Sequence, residues 1–378
     1  MPNPVATREP LKDQLFNAAK VAVVAAEIRG VHAAFDADDF TDAVVARLPE
    51  LELKQRISWI AGCLRERLPE GFADAVRILV DALPAPADPG LGDGDFGDFI
   101  YAPYGEFVAA YGCDEQHLGR SLEALRQITT RFSAEYAIRP FLNRFPDETY
   151  RVLEEWSRDE HYHVRRLCSE GTRPRLPWGQ RVTTDPLRAV ALLDELHADP
   201  TRFVTRSVAN HVNDLSKTDP DLALDTLRRW QRAQRQDPRE LAFIVRHATR
   251  SLVKAGHVGA MELIGIAPGQ SIELVELEVP ASVRLGQSLD LRVRIHSLHD
   301  AEAIVDFAMH SPRADGRLSR KVFKLGRVAL PAGETVTLTK SHALRRNMTT
   351  RTIRPGTHGL EIVVNGYGHP VREFDVSE

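Results

Sequence analysis

Only three cysteines occur among the 378 residues, Cys63, Cys113 and Cys168, and no two of them form a CxxC pair. That scarcity excludes a disulfide-stapled scaffold and a zinc knuckle, and it suits a reducing cytoplasm. No apolar run approaches the length of a membrane span; the stretch Val21 to Ile28 is short and carries Glu27. The first ten residues are polar and lack a secretory pattern. A phosphate-binding glycine loop and a Ser/His nucleophile arrangement are missing as well. The acidic loop Asp93-Gly-Asp95-Phe-Gly-Asp98 starts like a calcium site, but Tyr104 stands where the closing Glu belongs. His161 and His163 lie two apart with no third ligand suitably spaced, which reads as solvated histidines rather than a metal pair. The chain is therefore expected to be cytoplasmic, with no membrane, metal or cofactor.

What is present is an ordinary globular composition, 43% hydrophobic and 27% charged, in a length that accommodates two domains. A net charge of −4 argues weakly against nucleic acid, but it is unevenly spread. Residues 1–150 hold 15 basic against 24 acidic side chains, 151–270 hold 19 against 16, and the remainder 15 against 13. One basic face on an acidic body is compatible with that distribution.

Up to about Ile266 apolar residues recur at helical spacing, as in Leu122, Leu125, Ile128 and Phe132, or Leu222, Leu224, Leu227 and Trp230. Asp219-Pro220 and Asp237-Pro238 read as helix starts, with Asp as N-cap and Pro in the first turn. The pairs Val164-Arg165, Thr205-Arg206 and Val245-Arg246 recur at roughly the 40-residue period of HEAT-type helical hairpins. Stacked hairpins bury one another's faces, and arginines at equivalent positions would line one side. An irregular helical bundle is the competing reading of the same spacing.

After Pro268-Gly269 the period becomes two: Leu289, Leu291, Val293 and Ile295 alternate with polar residues, as do Leu360, Ile362 and Val364. Asn365-Gly366 is a hairpin-turn dipeptide. About seven short strands in roughly a hundred residues fit an immunoglobulin-like sandwich. The expected organisation is an N-terminal segment (1–20), an all-α HEAT-like repeat domain (21–268) and an all-β sandwich (271–378).

Four segments carry a more specific signal. They are Phe132-Ser-Ala-Glu135-Tyr-Ala-Ile-Arg139-Pro-Phe141, Arg165-Arg166-Leu-Cys-Ser-Glu170-Gly-Thr-Arg173-Pro-Arg175-Leu-Pro177-Trp178, Ala209-Asn210-His211-Val-Asn213-Asp214-Leu-Ser-Lys217 and Arg246-His247-Ala-Thr-Arg250-Ser-Leu-Val-Lys254. In this order, with Asp98-Phe99-Ile100 upstream and Asn347 to Gly356 downstream, the chain resembles the AlkC-type bacterial alkylation-repair glycosylases, relatives of the AlkD type. The resemblance omits mainly the first twenty residues. It implies excision of 3-methyladenine, with 3-methylcytosine and 1-methyladenine as further candidate bases, from duplex DNA without full base flipping; the protein is expected to act as a monomer that meets the nucleoid.

A base methylated on a ring nitrogen is a cation and leaves readily, so the enzyme must chiefly stabilise the oxocarbenium-like sugar and position water. Carboxylates do both. The resemblance makes Glu135 and Asp214 the catalytic pair, one on each of two groove-facing helices. From the residues alone Asp214 is equally a helix-terminal carboxylate, and Glu135 a partner of Arg131 or Arg139. Trp178, on a proline-stiffened loop, either offers an aromatic face to the cationic base or plugs a hairpin junction. Tyr136 either stacks beside it or packs. Arg165, Arg166, Arg173, Arg175, Lys217, Arg250 and Lys254 are expected to contact phosphates, Arg166 and Lys254 about one each. In the β domain Arg313, Arg317, Arg320 and Lys321 form one basic loop, and Arg345, Arg346, Arg351 and Arg354 another; Arg351 and Arg354 are the expected DNA contacts there.

Overall fold

The computed structural model describes residues 10–87, 96–266, 269–313, 317–345, 347–348 and 351–378, without the side chains of 270, 347, 348, 351 and 352. Asp93, Asp95, Arg346 and the side chain of Arg351 fall outside the described residues. The chain divides into two compact units, Met1–Ala248 and Thr249–Glu378. Its helices among the described residues are α1 (Leu11–Leu15), α2 (Ala18–Val31), α3 (Ala37–Arg47), α4 (Leu53–Arg67), α5 (Phe72–Asp81), α6 (Ala102–Gly112), α7 (Leu118–Thr129), α8 (Arg139–Arg144), α9 (Pro146–Trp156), α10 (Tyr162–Glu170), α11 (Pro186–Leu196), α12 (Arg202–Leu215), α13 (Pro220–Ala233), α14 (Pro238–Lys254) and α15 (Val258–Leu263).

The Asp-Pro dipeptides start helices for the expected reason. Asp219 accepts a hydrogen bond from the Leu222 amide (2.9 Å), and Asp237 from the amides of Arg239 and Glu240. Asp185-Pro186 opens α11 in the same way, its carboxylate accepting from the Leu187 amide. Helix α10 packs against α9, α11 and α12, and α12 against α11 and α13, the neighbour-to-neighbour packing of a helical repeat array.

Successive repeats are tied by ion pairs at matching places. Arg126 reaches Asp159 (2.6 Å), Arg165 reaches Asp199 (2.6 Å) and Arg202 reaches Glu240 (2.7 Å). The acceptors recur at the about 40-residue period read from the sequence. This corrects the expectation for Arg165. It binds Asp199 with two nitrogens and the carbonyls of Asp159 and Glu160 with a third, so its guanidinium is spent between repeats and is not offered to a phosphate.

The second unit holds β1 (Ile272–Glu278), β2 (Ser282–Arg284), β3 (Ser288–Ser297), β4 (Ala301–Pro312), β5 (Leu318–Leu330), β6 (Thr335–Ala343), β7 (Asn347–Met348), β8 (Arg351–Thr352), β9 (Gly356–Val364), β10 (Tyr367–Gly368) and β11 (Arg372–Ser377). One sheet runs β1-β3-β6; the other runs β2-β11-β9-β4-β5, with β10 on β9. All pairings are antiparallel except β2 with β11. Leu289, Leu291, Val293 and Ile295 of one sheet and Val305, Phe307, Leu360 and Ile362 of the other form a common core. Each such side chain contributes roughly 1.5–3 kcal/mol by leaving water.

Asn365 and Gly366 both take positive φ (44° and 79°) and join β9 to β10, as the dipeptide predicts. Asn365 also bridges backbone, accepting from the Ile304 amide and donating to the Glu302 carbonyl. A Cβ on Gly366 would lie 2.3 Å from the carbonyl oxygen of Gly256, so the segment after α14 is laid directly on this turn. Helix thus gives way to strand between Leu263 and Ile272, while the compact units divide earlier, within α14.

Candidate active site

Helices α10 and α12 pack side by side in the first unit and present their polar faces together. On α10, Arg166 and Glu170 are one helical turn apart; on α12, Arg206 and Asn210 are likewise, with Ser207 and Asp214 two turns apart. Glu135 enters from the turn before α8, not from a helix as expected, because Arg139-Pro140 begins α8 only four residues later.

A chain of buried charges links these elements. Ser133 Oγ donates to Glu135 Oε2 (2.5 Å), and Arg166 Nη1 donates to both Ser133 Oγ (2.8 Å) and Glu135 Oε2 (2.9 Å). Arg166 Nη2 lies 3.6 Å from Glu170 Oε2, which also accepts from Ser207 Oγ (2.6 Å). Arg173 donates to Glu170 Oε1 (2.5 Å) and, with two nitrogens, to Asp214 Oδ2 (2.8 and 2.5 Å). Lys217 Nζ closes the chain on Asp214 Oδ1 (2.8 Å). Three carboxylates thus face three cations, and the set is neutral.

Burial disfavours the charged form of Glu170, but Arg166, Arg173 and the Ser207 hydroxyl outweigh it and hold the carboxyl below its ordinary range. Burial also opposes charge on Arg173, and Glu170 with Asp214 reverses that. His211, fully enclosed and bonded to the Ser169 carbonyl, is pushed down to about 4 by burial and is neutral. Tyr136 is pushed up to about 12, chiefly by burial, and keeps its proton.

Arg139 sets the loop that carries Trp178. It donates Nη1 to the Gly171 carbonyl (2.8 Å) and Nε to the Gln180 carbonyl, clipping together the two ends of that loop. Burial lowers its pKa to about 10. Trp178 itself sits at φ 66° with its side 65% exposed, a left-handed conformation that costs a non-glycine residue on the order of 1–3 kcal/mol. Lys54 Nζ holds its carbonyl (2.8 Å). An exposed indole is not a hairpin plug.

Glu135, Tyr136, Arg166, Glu170, Arg173 and Trp178 line one cleft of about 290 Å³, together with Phe96, Phe203, Arg206 and Asn210. Asp214 is not on that lining; it stands one guanidinium behind, through Arg173. The bonded partner of Glu135 is Arg166, whereas Arg131 is used on the carbonyls of Pro84 and Gln127 and Arg139 on those named above.

Several expected phosphate contacts change character. Arg166 is 6% exposed, sandwiched by Phe96 (5.1 Å) and Phe203 (4.6 Å), so it belongs to the buried chain. Arg173 is likewise enclosed by Glu170 and Asp214, and Lys217 is half-exposed but paired. Arg175 is exposed and makes no ion pair with the described residues. Arg250 and Lys254 are exposed and belong to the second unit, where the charge of Lys254 favours ionised Asp306 against the burial that raises that carboxyl. Arg354 is exposed; Arg320 is tied to Glu361 (2.9 Å). His163 is buried rather than solvated, its Nδ1 3.1 Å from the Thr129 carbonyl oxygen, and His161 caps α10.

Sequence reasoning missed Glu170, Phe96 and Phe203, and placed Arg206 only as one of the repeat arginines expected along one side of the array. Glu170 was recoverable from its one-turn spacing to Arg166. Arg206 lines the cleft without an ion-pair partner among the described residues, and only the packing of α10 on α12 reveals that. No helix among the described residues is long and apolar enough to cross a membrane.

Residues 107–252 match the family model described as DNA alkylation repair enzyme, and residues 273–378 that of the C-terminal Ig-like domain of the uncharacterised protein YhaZ. The uncharacterised protein YhaZ of Bacillus subtilis strain 168 is 32% identical over 368 residues, covering 96% of this chain and 98% of that one. The Pseudomonas fluorescens alkylpurine DNA glycosylase AlkC, solved bound to DNA containing an abasic site analog, is 34% identical over 98% of this chain and 100% of that one, with a TM-score of 0.79. With an all-α repeat region, an immunoglobulin-like β region and both whole-length likenesses in agreement, the chain belongs to the AlkC-type bacterial DNA-alkylation-repair glycosylases, enzymes that hydrolyse the N-glycosidic bond.

Proposed function

We propose that the enzyme releases small cationic methylated bases, 3-methyladenine first and 3-methylcytosine and 1-methyladenine with it, from duplex DNA without drawing the base fully out of the helix. The observation that carries this reading is the exposed Trp178 indole on the same cleft as the carboxylates of Glu135 and Glu170. An indole face attracts a positively charged ring. The carboxylate of Glu170, held below its ordinary range by Arg166 and Arg173 against its burial, and that of Glu135 beside it oppose the positive charge that develops on the sugar as the base departs.

Glu135 is the residue assigned to position and deprotonate the attacking water. Its Oε2 is already filled by Ser133 and Arg166, leaving Oε1 for the water. The water oxygen bonds to C1′, its proton passes to the carboxylate, and the base leaves with the electrons of the C–N bond, neutral once released. Asp214 acts on this event through its charge and by holding Arg173. Tyr136, protonated, flanks Trp178 on the cleft wall. Arg206 and Arg175 take the phosphate contacts, and Lys217 joins them by exchanging Asp214 for a phosphate, which bares Asp214 Oδ1 when DNA arrives.

The chemistry is assigned to the helical domain, 21–268, and duplex grip to the sandwich, 271–378, through Arg351 and Arg354, with Arg250 and Lys254 of α14 adding phosphate contacts. The protein acts as a monomer on cytoplasmic, nucleoid DNA. Single-turnover release of 3-methyladenine from methylated duplex tests the reading; release of uracil from a uracil-containing duplex at a comparable rate would refute the cationic-leaving-group account.

A further inference from the structure

A second cavity, of about 330 Å³, lies on the other side of Tyr136 and Trp178, enclosed by α4, α6 and the turn before α8. It lies within the first unit and shares those two aromatic side chains with the catalytic cleft, so they are a common wall. Its volume is at the lower end of the about 300–1,000 Å³ of small-ligand pockets. The walls are apolar and partly aromatic: Phe99 and Phe132, with ring centres 4.6 Å apart and planes tilted by 55°, Tyr101 beside them, and aliphatic side chains such as Ile57 and Ile128. One carboxylate serves this space. Glu106 Oε1 accepts from Ser58 Oγ (2.9 Å), and no described residue engages its Oε2.

The chemistry of this lining selects its occupant. Aromatic walls with a single free acceptor favour a flat, weakly polar heteroaromatic ring that brings N–H donors. Lys54 also lines the space, but its Nζ is hydrogen-bonded to the Trp178 carbonyl, so the Glu106 carboxylate is the charge that remains and it disfavours a phosphate. Gly105 keeps one wall thin, since a Cβ there would lie 3.2 Å from that of Ala137. The wall shared with the cleft is also where backbone strain is held, at Trp178, whose carbonyl is fastened by the cavity residue Lys54. Such a conformation persists only where its surroundings fix it, so the position of this wall is set by the residues that hold it.

We propose that this cavity is a free-purine site, which receives the excised methylated base behind the Trp178–Tyr136 wall while DNA still occupies the cleft. The proposal rests on the glycosylase reading for its product but not for its ligand class. Released 3-methyladenine is neutral and planar, and its amino group is the donor that Glu106 Oε2 lacks. Retaining the base there keeps it away from the sugar C1′, where it would compete with water.

Calorimetric titration of the whole protein, without DNA, with 3-methyladenine, adenine and uracil tests this. Binding of both purines, with uracil at least tenfold weaker, is expected. Ala109→Phe and Ile57→Phe, which fill the cavity from α6 and α4, should each weaken purine binding at least tenfold with the melting temperature retained. Glu106→Gln should lower affinity several-fold without blocking the space. Absence of purine binding to the wild type overturns the proposal, as does equal affinity in both filled variants. Loss in Arg206→Ala with no change in Ala109→Phe also overturns it, by placing the base in the cleft. Single-turnover release from methylated duplex by the wild type is measured in parallel. Its failure would sink the glycosylase reading while leaving a cavity-dependent purine affinity intact, so the two failures are distinguishable.

Discussion

Asp214→Asn separates charge from shape near the Lys217 end of the buried ion chain. The amide oxygen can still accept from Arg173, while the amide nitrogen faces Lys217, which is 46% exposed and free to turn to solvent. The fold should therefore survive, with a loss of about 1–3 kcal/mol for one charge-assisted hydrogen bond. The chemical step should suffer more. The chain Glu135–Arg166–Glu170–Arg173–Asp214–Lys217 changes from neutral to one net positive charge beside a sugar that is itself becoming positive. Taking about 8 Å between the lost charge and C1′ and an effective dielectric of about 20, the missing attraction is about 2 kcal/mol. Loss of a preorganised contact raises the upper bound to about 4 kcal/mol, so the rate should fall roughly 30- to 1,000-fold. Binding to methylated duplex should change less than fivefold, because phosphate contacts dominate affinity. Single-turnover release with excess enzyme, alongside a thermal melt, reads both effects. Equal rates in a folded variant would remove Asp214 from the mechanism.

Arg206→Ala should weaken duplex binding and reduce the slope of log K against log salt by about one contact, whereas Arg166→Met should leave that slope unchanged. Arg166→Met should instead cost about 3–5 kcal/mol in a urea titration, because Glu135 and Glu170 lose a buried partner. Stability should also fall as pH drops from 6.5 towards 4 through His211. Its folded pKa lies below the unfolded value, so the unfolded chain binds the extra proton first, and the stabilisation present above pH 6.5 disappears, by roughly 3 kcal/mol at most. A His211→Gln variant should flatten that part of the acid melt. Trp178→Ala should reduce excision of 3-methyladenine at least tenfold while changing the melting temperature little, since the indole removed is exposed and the backbone strain stays with any residue that carries a Cβ; a large destabilisation would mean the indole is packing.

Periodicity exposed most of the fold. The repeat spacing, the Asp-Pro helix starts and the alternation of Leu289 to Ile295 each report local geometry, which sequence carries directly. The site was legible only as a set of residue types. Arg165 and Arg166 are indistinguishable in sequence, yet one fastens repeats and the other lies under two phenylalanines among carboxylates. Which cation is neutralised depends on where Asp199, Glu135 and Glu170 lie in space, and no linear spacing encodes that. Arg206 shows the converse: an arginine with no nearby acid becomes informative once α12 is seen to lie on α10.

The three inter-repeat pairs have a mechanical meaning. Arg126–Asp159, Arg165–Asp199 and Arg202–Glu240 place a short, directional rivet at each junction, with the acid mostly shielded from water. A stack whose neighbours touch only through apolar faces can slide; riveted neighbours cannot without breaking a partly desolvated bond. The helical array therefore behaves as a stiff former, and when a duplex is pressed against it, the elastic work of conforming falls on the nucleic acid.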